Sequence, residues 1–352
     1  MLTNKFLTPL KKIDFKDVLI VPNKTTIKSR KEVSLQREFT FKNNTKWKGV
    51  PIISSNMDTV SDVKTFDILR QHDYITCFPK HYNKKWTLDT CFPKHLELVD
   101  NYMLTCGTGD SNNLIELVKK LYTFGIHPRF MCVDVANGYM KQLEDTCVQI
   151  KSFFPECILV AGNVVTPDIV YELMSQCGVD IVKIGIGSGA VCTTRLKAGV
   201  GYPQLSAMLE CKSAAELGGG YLISDGGIVY PCDIAKAFAA GSDFVMCGSI
   251  LAGHDESPGE LVIAEDGQKY KTYYGMASET AVKKYNEGKL GYRTAEGKKV
   301  LIKLKGPLDT TIEDINGSLR SACSYTDSRN LEEFYNKSKF IEVNTTHNKI
   351  FL

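Results

Sequence analysis

Apolar residues recur along the chain in short, β-rich blocks, each closed by a polar or glycine position. Eight such blocks fall at 51–56, 74–78, 102–106, 130–134, 158–162, 180–184, 221–225 and 243–247. They alternate little between apolar and polar, which is the pattern of a parallel strand covered on both faces. Between most of them the period lengthens. Leu114, Leu117, Val118 and Leu121 share one face of a helix predicted over 113–124. Pro167 and Pro231 open two more, over 167–177 and 231–240, with Val170, Leu173 and Met174 in the first and Ala235 and Phe238 in the second. Strands alternating with helices predict an α/β fold. The count of eight favours a (β/α)8 TIM barrel over a doubly wound open sheet. One catalytic domain spanning 1–352 is expected. The stretch 187–216 and the segment after Cys247 are longer than the other connections, and long structureless inserts in a compact fold usually carry function. Cys77-Phe-Pro-Lys-His81 recurs as Cys91-Phe-Pro-Lys-His95, too short a repeat to imply duplication.

Composition narrows the class. The chain has 352 residues, 43% hydrophobic and 24% charged, enough for a sizeable core without disulfides or metals. A net charge of +3 gives no case for nucleic acid as a partner. No apolar run approaches 18 residues, so no membrane association is expected, and the N-terminus lacks the apolar stretch of a secretory signal. The 12 cysteines include no Cys-x-x-Cys pair. Their spacing fits neither a zinc site nor a disulfide framework and suits a reducing, cytoplasmic setting.

Candidate chemistry gathers at strand ends. In a barrel these share one mouth. They carry Asn56, Lys80, Asp134, Asn163, Gly185, Asp225 and Gly248. Any one of them reads as an ordinary turn former; together they read as a ligand cradle. Ser224-Asp-Gly-Gly227 and Met246-Cys-Gly-Ser249 follow the last two strands, where backbone N–H groups at glycine can approach a phosphate. Asp225 would repel a phosphate and suits ribose hydroxyls. In Lys183-Ile-Gly-Ile-Gly-Ser-Gly-Ala-Val-Cys-Thr-Thr-Arg195 the spacing of Gly185, Gly187 and Ala190 matches a dinucleotide fingerprint. A polar, glycine-bounded loop follows instead of an amphipathic helix, which rejects that reading. Cys192, in a loop at the mouth, is a candidate nucleophile; the other cysteines mostly sit in apolar runs or helices, where they act as small hydrophobes. The glycine-punctuated, charged segment 273–300 reads as a mobile flap after strand eight, with Glu296 as a candidate acid or base; the alternative is a solvated loop.

These residues sit within longer matching stretches. Early ones are Phe15-Lys-Asp-Val-Leu-Ile20, Asn56-Met-Asp-Thr-Val60, Lys80-His-Tyr82, Asp134-Val-Ala-Asn-Gly-Tyr139 and Ala161-Gly-Asn-Val-Val-Thr166. Later ones are the Cys192 loop through Gly201-Tyr-Pro-Gln-Leu205, Ser224-Asp-Gly-Gly227, Leu251-Ala-Gly-His-Asp-Glu-Ser257, Tyr292 to Gly297 and Gly317-Ser-Leu-Arg-Ser-Ala-Cys323. In this order, over nearly the whole chain, they resemble the IMP dehydrogenase/GMP reductase family. The chain is similar to its reductase branch. The segment 78–102 is too short for the CBS-domain pair that dehydrogenases usually insert there. The flap has no water-activating Arg-Tyr pair, since Tyr292-Arg293 runs in reverse. Lys80-His-Tyr82 and Gly199-Val-Gly-Tyr-Pro-Gln204 are also reductase-like.

The resemblance implies NADPH-dependent reductive deamination of GMP to IMP and ammonia through a covalent cysteine thioimidate, within purine interconversion and salvage. It assigns Cys192 as nucleophile, with Thr194 and Glu296 in proton transfer. For GMP it implies Asp225, Gly226, Gly227, Gly248, Ser249, Gly275, Met276, Ala277, Arg293, Thr294, Ala295 and Gly297. For NADPH it implies Lys80, Asp134, Val135, Ala136, Ile186, Gly187 and Tyr292. It adds Ser29, Arg30, Ser321, Ala322, Cys323 and Ser324, some from a neighbouring subunit of a homotetramer. A monovalent cation, potassium by resemblance, would use carbonyls of Gly187, Gly189 and Cys192, with Arg195 nearby. The chain departs from the family pattern at Ser188 (usually Pro), Ser249 (Gly), Ala277 (Ser) and Ile228-Val-Tyr230. Three rivals remain open: a dehydrogenase without its CBS pair, a catalytically dead nucleotide sensor, and an aldolase-type barrel using Lys183 as a Schiff base.

Overall fold

The computed structural model describes residues 11–82, 97–285 and 294–344. All eight predicted blocks form strands: β1 (Ile52–Ser54), β2 (Ile75–Cys77), β3 (Tyr102–Cys106), β4 (Phe130–Asp134), β5 (Ile158–Val164), β6 (Ile181–Ile184), β7 (Tyr221–Asp225) and β8 (Phe244–Cys247). They pair in parallel, each with its sequence neighbours, and β8 pairs with β1 to close the ring. This is a (β/α)8 barrel. Helices α1 (Val63–Leu69), α2 (Ser111–Tyr122), α3 (Lys141–Phe153), α4 (Pro167–Gln176), α5 (Gln204–Leu217), α6 (Pro231–Ala239) and α7 (Leu308–Tyr325) surround it. The missing alternation follows from burial on both faces. Outward residues such as Leu104, Met131, Val133 and Val182 pack under the helices. Inward residues Ile53, Ile75, Met103, Phe130, Ile158, Ile181, Ile223 and Phe244 fill the lumen.

The N-terminal end of the barrel is plugged. Strands Arg37–Thr40 and Lys46–Gly49 form an antiparallel hairpin that carries Phe39, Phe41 and Trp47 into the lumen cluster. The Phe39 ring stacks on Phe244 at 4.4 Å and meets Tyr221 edge-on at 5.0 Å. The Trp47 indole N–H donates to the Asp100 carbonyl, so its one polar atom is satisfied. The opposite end stays open for ligand.

One expectation from the sequence is corrected and one alternative is set aside. The stretch 187–216 is not a long structureless insert, because most of its second half is α5. Gln204 and Ser206 are buried along with Leu205, Met208 and Cys211, so the polar–apolar pattern is blurred on this helix. Nor is 273–300 a plain loop. It leaves strand Lys269–Tyr274, passes through helix Glu279–Tyr285, and re-enters strand Lys299–Lys303, with Tyr273 opposite Val300. Residues 286–293, Tyr292 and Arg293 among them, lie outside the described residues, as does the second copy of the Cys-Phe-Pro-Lys-His repeat. No helix among the described residues is long and apolar enough to cross a membrane. Nine of the eleven described cysteines are buried; Cys192 is half-buried and Cys232 exposed.

His254 is fully buried beneath α7. Its Nδ1–H donates to the Leu251 carbonyl at 3.1 Å, which leaves Nε2 to accept from the Thr311 hydroxyl at 2.7 Å. Burial, reinforced by Lys305, lowers its pKa to about 4. The unfolded chain therefore takes up this proton near pH 6.5 and the folded chain near 4. The neutral ring's contribution is present in full above the unfolded value and is lost as pH falls toward the folded one. Over that window the wild type should lose roughly 2–3 kcal/mol more than a His254→Asn variant. Urea unfolding of both proteins across the window checks this; parallel pH dependences would contradict it.

Candidate active site

Strand alternation sends Asp134, Lys183 and Asp225 inward from β4, β6 and β7 at the open end. Lys183 is 1% exposed and cannot leave its charge unpaired. Its Nζ lies 2.7 Å from Asp134 Oδ1 and 2.9 Å from Asp225 Oδ2. Burial alone would lower the Lys183 pKa, but Asp134 and then Asp225 reverse that and hold it well above its ordinary value. On Asp134 burial works upward, and Lys183 overcomes it, so this carboxyl sits below its usual range. Asn163 Nδ2 donates to Asp225 Oδ2 and to the Gly185 carbonyl, both at 2.8 Å. These groups form the base of a cleft of about 940 Å³. A doubly paired, charged ammonium is no nucleophile, which counts against Lys183 as a Schiff-base lysine.

Cys192 stands above this base on the loop after β6. Its thiol donates to Thr194 Oγ1 at 3.2 Å, and the Thr194 hydroxyl donates to Glu296 Oε2 at 2.7 Å. Thr194 opens a single helical turn, Thr194–Lys197, within the loop expected over 193–201. The partner segment comes from beyond β8. Thr193 N–H donates to the Glu296 carbonyl at 2.8 Å and Lys298 N–H to the Val191 carbonyl at 3.0 Å. Gly297 bridges to both Cys192 and Ser278. An added Cβ at Gly297 would sit 3.0 Å from Ser278 N and 3.3 Å from Gly275 Cα, so a larger residue would push this backbone junction apart by a few tenths of an ångström. Thiol, hydroxyl and carboxylate can thus pass a proton in either direction.

The glycine turns behave differently from expectation in one respect. Gly226 and Gly227 have φ of +101° and +78°. The Gly227 N–H is already used, donating to the Ser188 carbonyl at 2.9 Å. An added Cβ at Gly226 would lie 2.3 Å from Ser188 Oγ, so this turn first of all seats the cysteine loop. Ser188 donates its hydroxyl to Gln204 Oε1 at 2.8 Å. Gln204 Nε2 in turn donates to the Ile184 carbonyl and Ser224 Oγ. Gln204 therefore ties β6, β7 and the cysteine loop together. A glutamine at the start of a helix carries no sequence signal of that role. The Ser249 hydroxyl is engaged with the Ile228 carbonyl at 3.3 Å.

Most other expected residues also reach the cleft. Lys80, Asp134, Val135, Ala136, Ile186, Gly187, Gly189, Gly248, Ser249, Gly275, Met276, Ala277 and Thr294 line it, with Asp225, Gly226, Gly227, Cys192, Thr194 and Glu296. Ala295 and Gly297 flank Glu296 outside the lining, and Arg195 is turned away, bonded to Asp14 and to the Tyr202 carbonyl. Ser29, Arg30, Ser321, Ala322, Cys323 and Ser324 do not line it either. Ser29 caps the short turn Arg30–Glu32, which packs on α7, the helix that carries the 321–324 segment. The Cys323 side chain is buried in the core.

A closed parallel barrel with a thiol–hydroxyl–carboxylate run at its open mouth defines the class as a (β/α)8-barrel enzyme scaffold. The family model described as "IMP dehydrogenase / GMP reductase domain" matches residues 12–349. Proteins named GMP reductase from Yersinia pestis (strain Pestoides F) and Yersinia pseudotuberculosis (serotype O:1b, strain IP 31758) are each 44% identical over 341 residues, covering 97% of both chains. The chain belongs to the IMP dehydrogenase/GMP reductase family.

Replacing Lys183 by Met should leave two carboxylates at the cleft base with no cation between them. Breaking such a buried arrangement costs about 3–5 kcal/mol, and the variant should regain stability on mild acidification as one carboxyl protonates. Urea unfolding as a function of pH checks both; a variant as stable as wild type at neutral pH would contradict them.

Proposed function

We propose that this protein is an NADPH-dependent reductase that converts GMP to IMP and ammonia in purine nucleotide interconversion and salvage. The observation that carries the reading is the hydrogen-bonded run Cys192–Thr194–Glu296 in the cleft. It lies in a chain that matches relatives named GMP reductase over 97% of its length. The thiol proton passes to Thr194 as the Thr194 proton passes to Glu296, and the thiolate attacks C2 of the guanine ring. The C2–N bond then breaks. Glu296, through Thr194, returns the proton to the leaving amine, which departs as ammonia. A thioimidate joins Cys192 sulfur to C2. The dinucleotide, when bound, supplies hydride equivalents to that carbon. With C2 reduced, the C–S bond breaks, IMP departs, and the Cys192 thiolate takes one proton from solvent to restore the thiol. The segment 273–300 acts as a flap that keeps water from the thioimidate.

A cleft of about 940 Å³ is of the size that takes a nucleotide-sized ligand. Asp225 to Gly227, Gly248 and Ser249 take the ribose and phosphate of GMP, and Gly275 to Ala277 with Arg293 to Gly297 surround its base. Lys80, Asp134 to Ala136, Ile186, Gly187 and Tyr292 take the nicotinamide half of the cofactor. Its far half is held by Ser29, Arg30 and 321–324, supplied by a neighbour in a homotetramer. Their packing together outside the cleft supports that division. Among the described residues no three His, Cys, Asp or Glu side chains converge to hold a metal. As the family resemblance implies, a monovalent cation such as potassium would be held at the cysteine loop by the carbonyls of Gly187, Gly189 and Cys192. Arg195 fits as a brace for that loop, since its stem packs over Gly187. The single barrel domain carries all these parts, and a cytoplasmic site of action suits its free thiols.

With GMP and NADPH, the wild type should lose reduced-nicotinamide absorbance and release IMP and ammonia in equal amounts. Cys192→Ala should abolish this, and Thr194→Val and Glu296→Gln should lower kcat by about 10²–10⁴-fold. Turnover of IMP with NAD in place of GMP reduction would move the protein to the dehydrogenase branch. Cys192→Ala turning over like wild type would overturn the nucleophile.

A further inference from the structure

Asp58 lies on the loop after β1 and does not line the cleft. Its side chain is only 6% exposed, yet its Oδ2 accepts three hydrogen bonds. Two come from the Tyr274 hydroxyl and Lys284 Nζ, both at 2.8 Å, and the third from the Tyr285 hydroxyl. Lys284 also donates to Tyr274 at 3.3 Å and sits over the Tyr285 ring. Burial first, then Asp58, push both tyrosine pKa values up, so the phenols remain donors.

The three donors sit at the two ends of one segment. Tyr274 ends its strand and Tyr285 ends helix Glu279–Tyr285. One carboxylate oxygen thus closes 274–285 into a loop. Inside that loop lie Gly275 to Ala277, Ala281 and Val282, all on the cleft wall. The Tyr285 ring stacks on His81 at 3.4 Å, with 4° between their planes, next to Lys80. Nothing in the proton run or at the cleft base requires Asp58. A buried carboxylate meeting three donors across more than 200 residues of chain does no other evident work.

We propose that Asp58 is a positioning residue, holding helix Glu279–Tyr285 against His81 as the cleft wall on the dinucleotide side. The kinetic part of this rests on the reductase reading above; the structural part does not.

The test uses the full chain with Asp58→Ala and Asp58→Asn. Hydrogen exchange without ligand should rise about tenfold or more across 274–285 in Asp58→Ala, with the barrel strands unchanged. The KM for NADPH should rise about tenfold, and that for GMP with it because Gly275 to Ala277 lie in the same loop, while kcat stays within about threefold. Asp58→Asn, which keeps an acceptor oxygen, should recover part of both. Unchanged exchange across 274–285 would overturn the proposal. So would exchange rising throughout the barrel with kcat and KM worsening together, the signature of a merely structural residue. A wild type inactive on GMP would overturn the reductase reading, while the exchange comparison would still decide whether Asp58 holds the helix.

Discussion

Closure of eight parallel strands into one ring is the constraint on which the site depends. Because side chains alternate along a strand, closure fixes which residues of β4, β6 and β7 face the lumen. A slip of one residue in β6 would turn Lys183 to the helix side and leave Asp134 and Asp225 facing each other with no cation. The register instead brings all three within hydrogen-bond distance. The aromatic plug from Phe39, Phe41 and Trp47 fills the other end, so polar groups meet solvent and ligand only at the mouth.

On this frame the chemistry is assembled from two distant segments. The cysteine loop and the segment carrying Glu296 are far apart in sequence, Thr194 and Glu296 being separated by 102 positions. They are joined by backbone hydrogen bonds on either side of the reacting groups, from Thr193 to Glu296 and from Lys298 to Val191. Side-chain geometry at the thiol is therefore set by main-chain pairing, which is stiffer than pairing of long side chains alone. Ser188, Gln204 and the Gly226 turn hold the loop from below.

The strands and most of the residues that line the cleft were legible in the sequence because parallel strands leave short apolar runs and their ends carry the polar residues. Cys192 stood out by position, and Glu296 through its motif. Three things were not legible. Helix α5 was hidden because Gln204 and Ser206 are buried, blurring the pattern on which helices are read. The pairing of Lys183, named from the sequence as a Schiff-base candidate, was not visible because its two carboxylate partners come from other strands. The segment 273–300 read as a flap without elements of its own, because its charged residues mask the end of one strand and the start of another in a three-stranded sheet, and a helix tied down through Asp58. In each case the deciding contact is long-range.

In the proposed reaction Cys192 bonds covalently to the nucleotide while Thr194 and Glu296 move the proton. Acid-quenching the enzyme during turnover, followed by peptide mass spectrometry, tests it most directly. The Cys192 peptide should carry the mass of GMP less one ammonia, with no such adduct on any other cysteine peptide. Steady turnover with an unmodified Cys192 peptide at every quench time, or the adduct on another residue, would contradict it.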